Sequence, residues 1–87
     1  MDGSSQEPSI SELVTAGLAN GALWILEDGP LWAWPGTLEP CVVCGRPIDS
    51  SEIQYEVVGP RGALPAHVNC YQEWRAQSDA MRRDTPP

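Results

Sequence analysis

Cys41-Val42-Val43-Cys44 and His67-Val68-Asn69-Cys70 contain every cysteine and the single histidine of this 87-residue chain. The two pairs have the same two-residue internal spacing and are separated by 22 residues. A C-x-x-C pair can bend around one ion, and an H-x-x-C pair places two side chains on one helical turn. Four donors can thus converge in the tetrahedral arrangement of a closed zinc site. Gly45 follows the second cysteine, where a knuckle turns sharply and glycine is favoured. Soft thiolates with one imidazole suit zinc, with iron a minor alternative. One structural Zn2+ per chain, held by Cys41, Cys44, His67 and Cys70, is therefore expected. A redox disulfide between Cys41 and Cys44 would call for a thioredoxin-like βαβ surround and would leave His67 and Cys70 without a role. Cys70, near a helix start, is expected to gain thiolate stabilisation from the helix dipole.

The rest of the composition explains why such a site is needed. Leu, Ile, Val and Phe account for 17 of the 87 residues, with no Phe at all, at the edge of what folds on apolar burial alone. Chains this short usually add a disulfide, a metal or a partner subunit to their core. Three cysteines cannot all pair within one chain, so a metal is favoured over a disulfide scaffold. Residues 1–6 are polar with an acid at position 2, unlike the basic start and apolar run of a targeting peptide. The longest apolar run, residues 22–26, is far shorter than the ~20 residues that span a bilayer. A cytoplasmic location without membrane attachment is expected.

Upstream of the first cysteine, residues 1–8 read as a disordered tail. Ser9 and Glu12 then form the S-x-x-E signature of a capping box, and Ile10, Leu13, Val14, Leu18 and Ala22 follow the spacing of one apolar helix face, with Gly21 as the stop. Residues 23–27 and 31–34 read as two short strands joined by a turn at Asp28-Gly29-Pro30. Downstream, Ile53, Tyr55 and Val57 alternate with polar residues as in a half-buried strand, Gly59-Pro60-Arg61-Gly62 makes a turn, and Ala63 and Leu64 begin a return strand. A last helix runs from about His67 to the neighbourhood of Arg82, with Val68, Tyr71, Trp74 and Met81 as its buried stripe. Arg75–Asp79 and Asp79–Arg83 are its outer i,i+4 pairs. The expected organisation is a tail at 1–8, a helix-plus-hairpin extension at 9–40, a metal-binding finger at 41–83 and a frayed end at 84–87.

The pattern C-x2-C-x22-H-x2-C, with Tyr71 and Trp74 after the last ligand, resembles the first zinc-binding half of a LIM domain and, more broadly, a treble-clef zinc finger. The resemblance covers residues 41 to about 75. It implies a small α+β zinc-bound fold in which Cys41 and Cys44 sit on a zinc knuckle, residues 53–64 form a β-hairpin, and His67 and Cys70 lie at the start of a helix, with the N-terminal helix and hairpin packed on the finger. A LIM domain continues into a second zinc-binding half, whereas residues 71–87 contain neither Cys nor His. What carries over is a class expectation: a zinc-held platform for protein contacts.

Function follows the same chemistry. A Cys3His site is closed, with no position for a reactive water, and three thiolates weaken the Lewis acidity of the ion. There is no second histidine to act as a base, and Glu52, Glu56 and Glu73 are expected to be solvated charges, so no enzymatic activity is expected. The chain carries a net charge of -7, with six acids and no Lys or Arg in residues 1–40. That balance argues against nucleic acid, which needs cations to neutralise phosphates. Trp74 is expected to pin the last helix to the sheet. Trp32 and Trp34 share one face of a strand and are candidate anchors for a protein partner with a basic surface. Homodimerisation through the N-terminal helix is a further possibility. The leading reading is a non-enzymatic zinc module for protein interaction. A zinc-thiolate redox or metal sensor is the alternative, and a nucleic-acid-binding finger the third.

Overall fold

The computed structural model describes residues 8–27, 31–60 and 62–84. Residues 1–7 of the expected tail at 1–8, the turn residues 28–30, Arg61, and residues 85–87 of the expected frayed end at 84–87 lie outside the described residues, while Asp84 belongs to the last helix. In chain order the elements are α1 (Ile10–Asn20), β1 (Leu31–Pro35), β2 (Ile53–Gly59), β3 (Gly62–His67) and α2 (Val68–Asp84). The strands form one antiparallel sheet in the order β1-β2-β3, so the chain is a small α+β fold with two helices and a three-stranded sheet. Neither helix is long and apolar enough to cross a membrane.

Helix α1 begins where its capping box places it. The Ser9 side chain accepts from the Glu12 N–H at 3.1 Å, and the Glu12 carboxylate accepts from the Ser9 N–H at 2.9 Å, satisfying two donors that a helix start leaves open. Gly21 closes the helix in the left-handed region at φ 86°, where a side chain would be strained. Val14 and Gly17 face inward, and Ile10 and Leu18 pack against the core. Gln77 of α2 bonds Thr15 Oγ1 at 3.0 Å and the Ser11 carbonyl at 3.0 Å, tying the two helices together.

The expected N-terminal hairpin does not form. Residues 23–27 carry no strand, and β1 pairs instead with β2, in a register that sets Trp32 opposite Glu56 and Trp34 opposite Gln54. The reason lies in what residues 23–27 bury. Leu23 and Leu26 enter the core, the Leu26 N–H donates to buried Ser78 Oγ at 2.9 Å, and the Trp24 carbonyl accepts from Trp74 Nε1 at 2.8 Å. The backbone of this segment is satisfied by side chains of α2 rather than by a neighbouring strand. Trp24 packs edge-on against Trp74 with ring centroids 5.0 Å apart, and its indole lies so close to the Gly59 backbone that no Cβ fits there.

Helix α2 lies at the centre, against α1 on one side and β2 and β3 on the other. Its inward stripe is Cys70, Trp74 and Ser78, while Met81, expected to continue the stripe, is exposed. Tyr71 meets Tyr55 of β2 edge-on at 5.1 Å. Arg75 pairs with Asp79 at 3.5 Å as expected, but the second partner of Asp79 is Arg82 rather than Arg83. The return strand extends through Pro65 to His67. Proline is tolerated there because β3 is an edge strand, and its carbonyl accepts from the Val42 N–H at 2.8 Å.

The polar residues of β2 also depart from the alternating pattern. Gln54 is 1% exposed and Glu56 9%. The segment between β1 and the first cysteine folds over this face. Gln54 Oε1 accepts from both the backbone N–H and the hydroxyl of Thr37 at 2.9 Å, and Gln54 Nε2 donates to Glu39 at 3.1 Å and to Glu56 at 2.5 Å. Glu56 is therefore not a solvated charge. Burial is affordable because each polar atom has a partner, and among the described residues no buried side-chain polar atom lacks one.

Candidate metal centre

Three pieces of backbone deliver the four candidate ligands. An isolated bridge between Pro40 and Pro47 brackets a tight loop, inside which the Cys41 N–H donates to the Arg46 carbonyl at 2.9 Å and the Gly45 N–H to the Cys41 carbonyl at 2.8 Å. Gly45 turns the loop at φ 77°, so Cys41 and Cys44 face the same side. The Val42–Pro65 bond docks this loop beside β3. Strand β3 ends on His67, and Cys70 lies in the first turn of α2.

The three sulfurs and one imidazole nitrogen all lie within 4.8 Å of one another. His67 Nδ1 is 3.4 Å from Cys44 Sγ and 4.0 Å from Cys70 Sγ. With bonds of about 2.3 Å to sulfur and about 2.0 Å to nitrogen, a tetrahedral ion would set its ligand atoms roughly 3.5 to 3.8 Å apart. The two distances from His67 Nδ1 bracket that value, and the widest separation of 4.8 Å would close by about 1 Å around an ion, so the group is close enough to hold one metal ion. Every sequence-expected ligand is brought to this point.

One sulfur, that of Cys41, is prepared for negative charge. Cys41 Sγ accepts from the Val43 N–H at 3.4 Å and the His67 N–H at 3.5 Å. The Cys41 thiol is pulled down from 9.0 to about 4, chiefly by the hydrogen bond from Cys70 and against the opposing effect of burial, with backbone N–H groups adding to the pull. Cys70 is pushed up, first because it donates to Cys41, then by burial and by the charges of Cys41 and Cys44. Within this cluster the proximity of Cys41 outweighs the start of α2, which alone would favour the Cys70 thiolate. Three thiolates this close would repel one another, and a cation at their centre would let all three ionise.

Glu52 is exposed, as expected of a solvated charge, and lies beside the site. One of its carboxylate oxygens lies 3.5 Å from His67 Nε2, the ring nitrogen that faces away from the sulfurs. The same oxygen accepts from the Asp49 N–H at 3.0 Å, and the Asp49 carboxylate in turn accepts from the Ser51 N–H at 2.9 Å. The Asp49–Glu52 turn thereby holds a carboxylate against the outer edge of the imidazole. A carboxylate that accepts a hydrogen bond there fixes the tautomer and orientation of a metal-binding histidine, and at 3.5 Å Glu52 stands just outside that contact. The D-x-x-E spacing of Asp49 and Glu52 was the only signal in the sequence. A cleft of about 320 Å³ adjoins His67 and Cys70 and is bordered by Ile10, Arg46 and Glu52.

The candidate partner residues sit elsewhere. Trp32 is 56% exposed and Trp34 45%, on the sheet face that also carries Gln54 and Glu56. Trp24 and Trp74 are core residues. Comparison with protein-family models, characterised proteins and solved structures found no match, so no family assignment follows for the chain.

Proposed function

We propose that this chain is a non-enzymatic zinc-binding module, in which one structural Zn2+ on Cys41, Cys44, His67 and Cys70 holds the fold while the surface around Trp32 and Trp34 docks a protein partner. The observation that carries the reading is the convergence of four donor atoms within 4.8 Å. A donor set of three thiolates and one imidazole favours zinc over the harder divalent ions. The order of loop, β2–β3 hairpin and helix around the ligands also supports a treble-clef reading of residues 41–83.

Four protein donors fill a tetrahedral ion, leaving no position for an activated water. Among the described residues the adjoining cleft has Glu52 as its only carboxylate, and that group already accepts from the Asp49 N–H and lies beside His67. A general base is thus missing from the place where a hydrolase would need one. Zinc ligation contributes an apparent ~10 to 16 kcal/mol in small zinc domains, comparable with the whole ~5 to 15 kcal/mol stability of ordinary ones. The zinc is therefore expected to be a condition of folding.

The test is metal removal together with partner capture. One equivalent of zinc should be released by a strong chelator with loss of the near-ultraviolet signal of Trp24 and Trp74, and no substrate should be turned over. A chain that keeps that signal without metal is not zinc-held. Partner capture that survives a Trp32→Ala, Trp34→Ala double substitution refutes the docking surface.

A further inference from the structure

Strand β1 is an open edge. Among the described residues it is terminal in the sheet, touches no strand or helix but β2, and has all five residues exposed. The hydrogen bond from the Gly36 N–H to the Glu52 carbonyl at 2.9 Å fixes the alternation of the β1–β2 ladder. By that alternation Trp32 and Trp34 direct their backbone groups towards β2, and Leu31, Ala33 and Pro35 direct theirs away from the sheet. The free edge therefore offers the N–H and C=O of Leu31 and Ala33 and the C=O of Pro35. Proteins normally blunt such an edge with charge, a bulge or a cover. Here Leu-Trp-Ala-Trp-Pro has no charge, and proline removes only the last donor.

Acids lie near both ends of this strand. Exposed Glu39 reaches Gln54, the cross-strand neighbour of Trp34. At the other end, exposed Glu27 borders the same cavity of about 420 Å³ as Leu31; the guanidinium of Arg75 reaches its backbone carbonyl. A strand added outside β1 would lay alternate side chains beside the Trp32 and Trp34 rings, where a guanidinium or ammonium meets an aromatic face with carboxylates nearby.

We infer that β1 is a strand-addition site for an extended basic segment of another protein, which pairs with Leu31 and Ala33 and sets cationic side chains over Trp32 and Trp34 towards Glu39. This deepens, and rests on, the reading of Trp32 and Trp34 as docking residues. A second copy is the less suitable occupant. Antiparallel self-pairing centred on Ala33 would place Trp32 against Trp34 of the other copy, but between chains that each carry -7. A basic segment turns that repulsion into attraction.

The experiment uses the zinc-loaded chain and a nine-residue peptide in which arginine and valine alternate, so that one face of the added strand carries the arginines. A peptide with glutamates in place of the arginines serves as the control. The basic peptide should bind, slow amide exchange at Leu31 and Ala33 about tenfold or more, and lose about tenfold in affinity when salt rises from about 0.05 to 0.3 M. The glutamate peptide should not bind. Ala33→Pro removes an outward N–H without touching the β1–β2 ladder and should abolish binding while zinc content is retained. Should that variant lose zinc, exchange at Leu31 and Ala33 in the native chain decides alone.

Four outcomes overturn the inference: no binding of the basic peptide, equal binding of both peptides, binding that perturbs tryptophan fluorescence without protecting Leu31 and Ala33, or a sedimenting dimer whose Leu31 and Ala33 amides are protected without peptide. The third leaves the docking role of the tryptophans intact. Undiminished binding to the Trp32→Ala, Trp34→Ala chain would instead refute that underlying role.

Discussion

Replacing Glu52 with glutamine should weaken zinc binding by about tenfold without unfolding the protein. Glutamine preserves the shape of the side chain and can still accept the Asp49 N–H through its carbonyl oxygen, a bond that is 3.0 Å long in the native chain. What it loses is the negative charge 3.5 Å from His67 Nε2. Carboxylates placed behind a metal-bound histidine are worth roughly 10- to 100-fold in affinity. Because the Glu52 side chain is 51% exposed, solvent screens the interaction and the lower end of that range applies, about 1.4 kcal/mol. Competition against a chromophoric chelator at neutral pH reads the affinity directly. Glu52→Ala, which also abandons the Asp49 N–H, should cost more than Glu52→Gln. Equal affinity of Glu52→Gln and the native chain would show that the carboxylate does not orient His67.

Other perturbations address the remaining parts of the account. Ser78→Ala leaves the buried Leu26 N–H without its 2.9 Å acceptor and should cost about 1 to 3 kcal/mol in denaturant unfolding of the zinc-loaded protein. Gly59→Val forces methyl groups into the indole of Trp24; a loss of about 1 to 3 kcal/mol is expected, with a changed near-ultraviolet spectrum as its signature. Cys70→Ala removes one of four ligands and should abolish stoichiometric zinc binding and native secondary structure, so a folded variant with full zinc content would count against a structural metal. Cys41 and Cys70 are each 2% exposed, so mild peroxide should release zinc slowly; release within seconds would favour a thiolate sensor instead.

The parts of the fold that were legible in the sequence are those encoded locally. Ser9, Glu12 and Gly21 bracket α1 through contacts a few residues apart. Each ligand pair is a short-range motif, one on the loop after Pro40 and the other across the junction of β3 and α2, where His67 ends the strand rather than starting the helix. What escaped was set by long-range competition. Residues 23–27 have the composition of a strand, but Ser78 and Trp74, some fifty positions later, supply partners for their backbone. Strand β1 is thereby left to pair with β2. Gln54 and Glu56 look solvent-facing by alternation, and become buried because Thr37 and Glu39 close over them. Glu52 could not be assigned to the metal centre from its spacing, since only the turn at Asp49 and the placement of β3 bring it behind His67.

X-ray absorption at the zinc edge, on the protein purified from zinc-replete cells, tests the central claim most directly. One zinc per chain, bound by three sulfurs at about 2.3 Å and one nitrogen at about 2.0 Å with no oxygen neighbour, is the expected result. A sub-stoichiometric ion, a site with coordinated water, or a Cys41–Cys44 disulfide in place of the metal would contradict it.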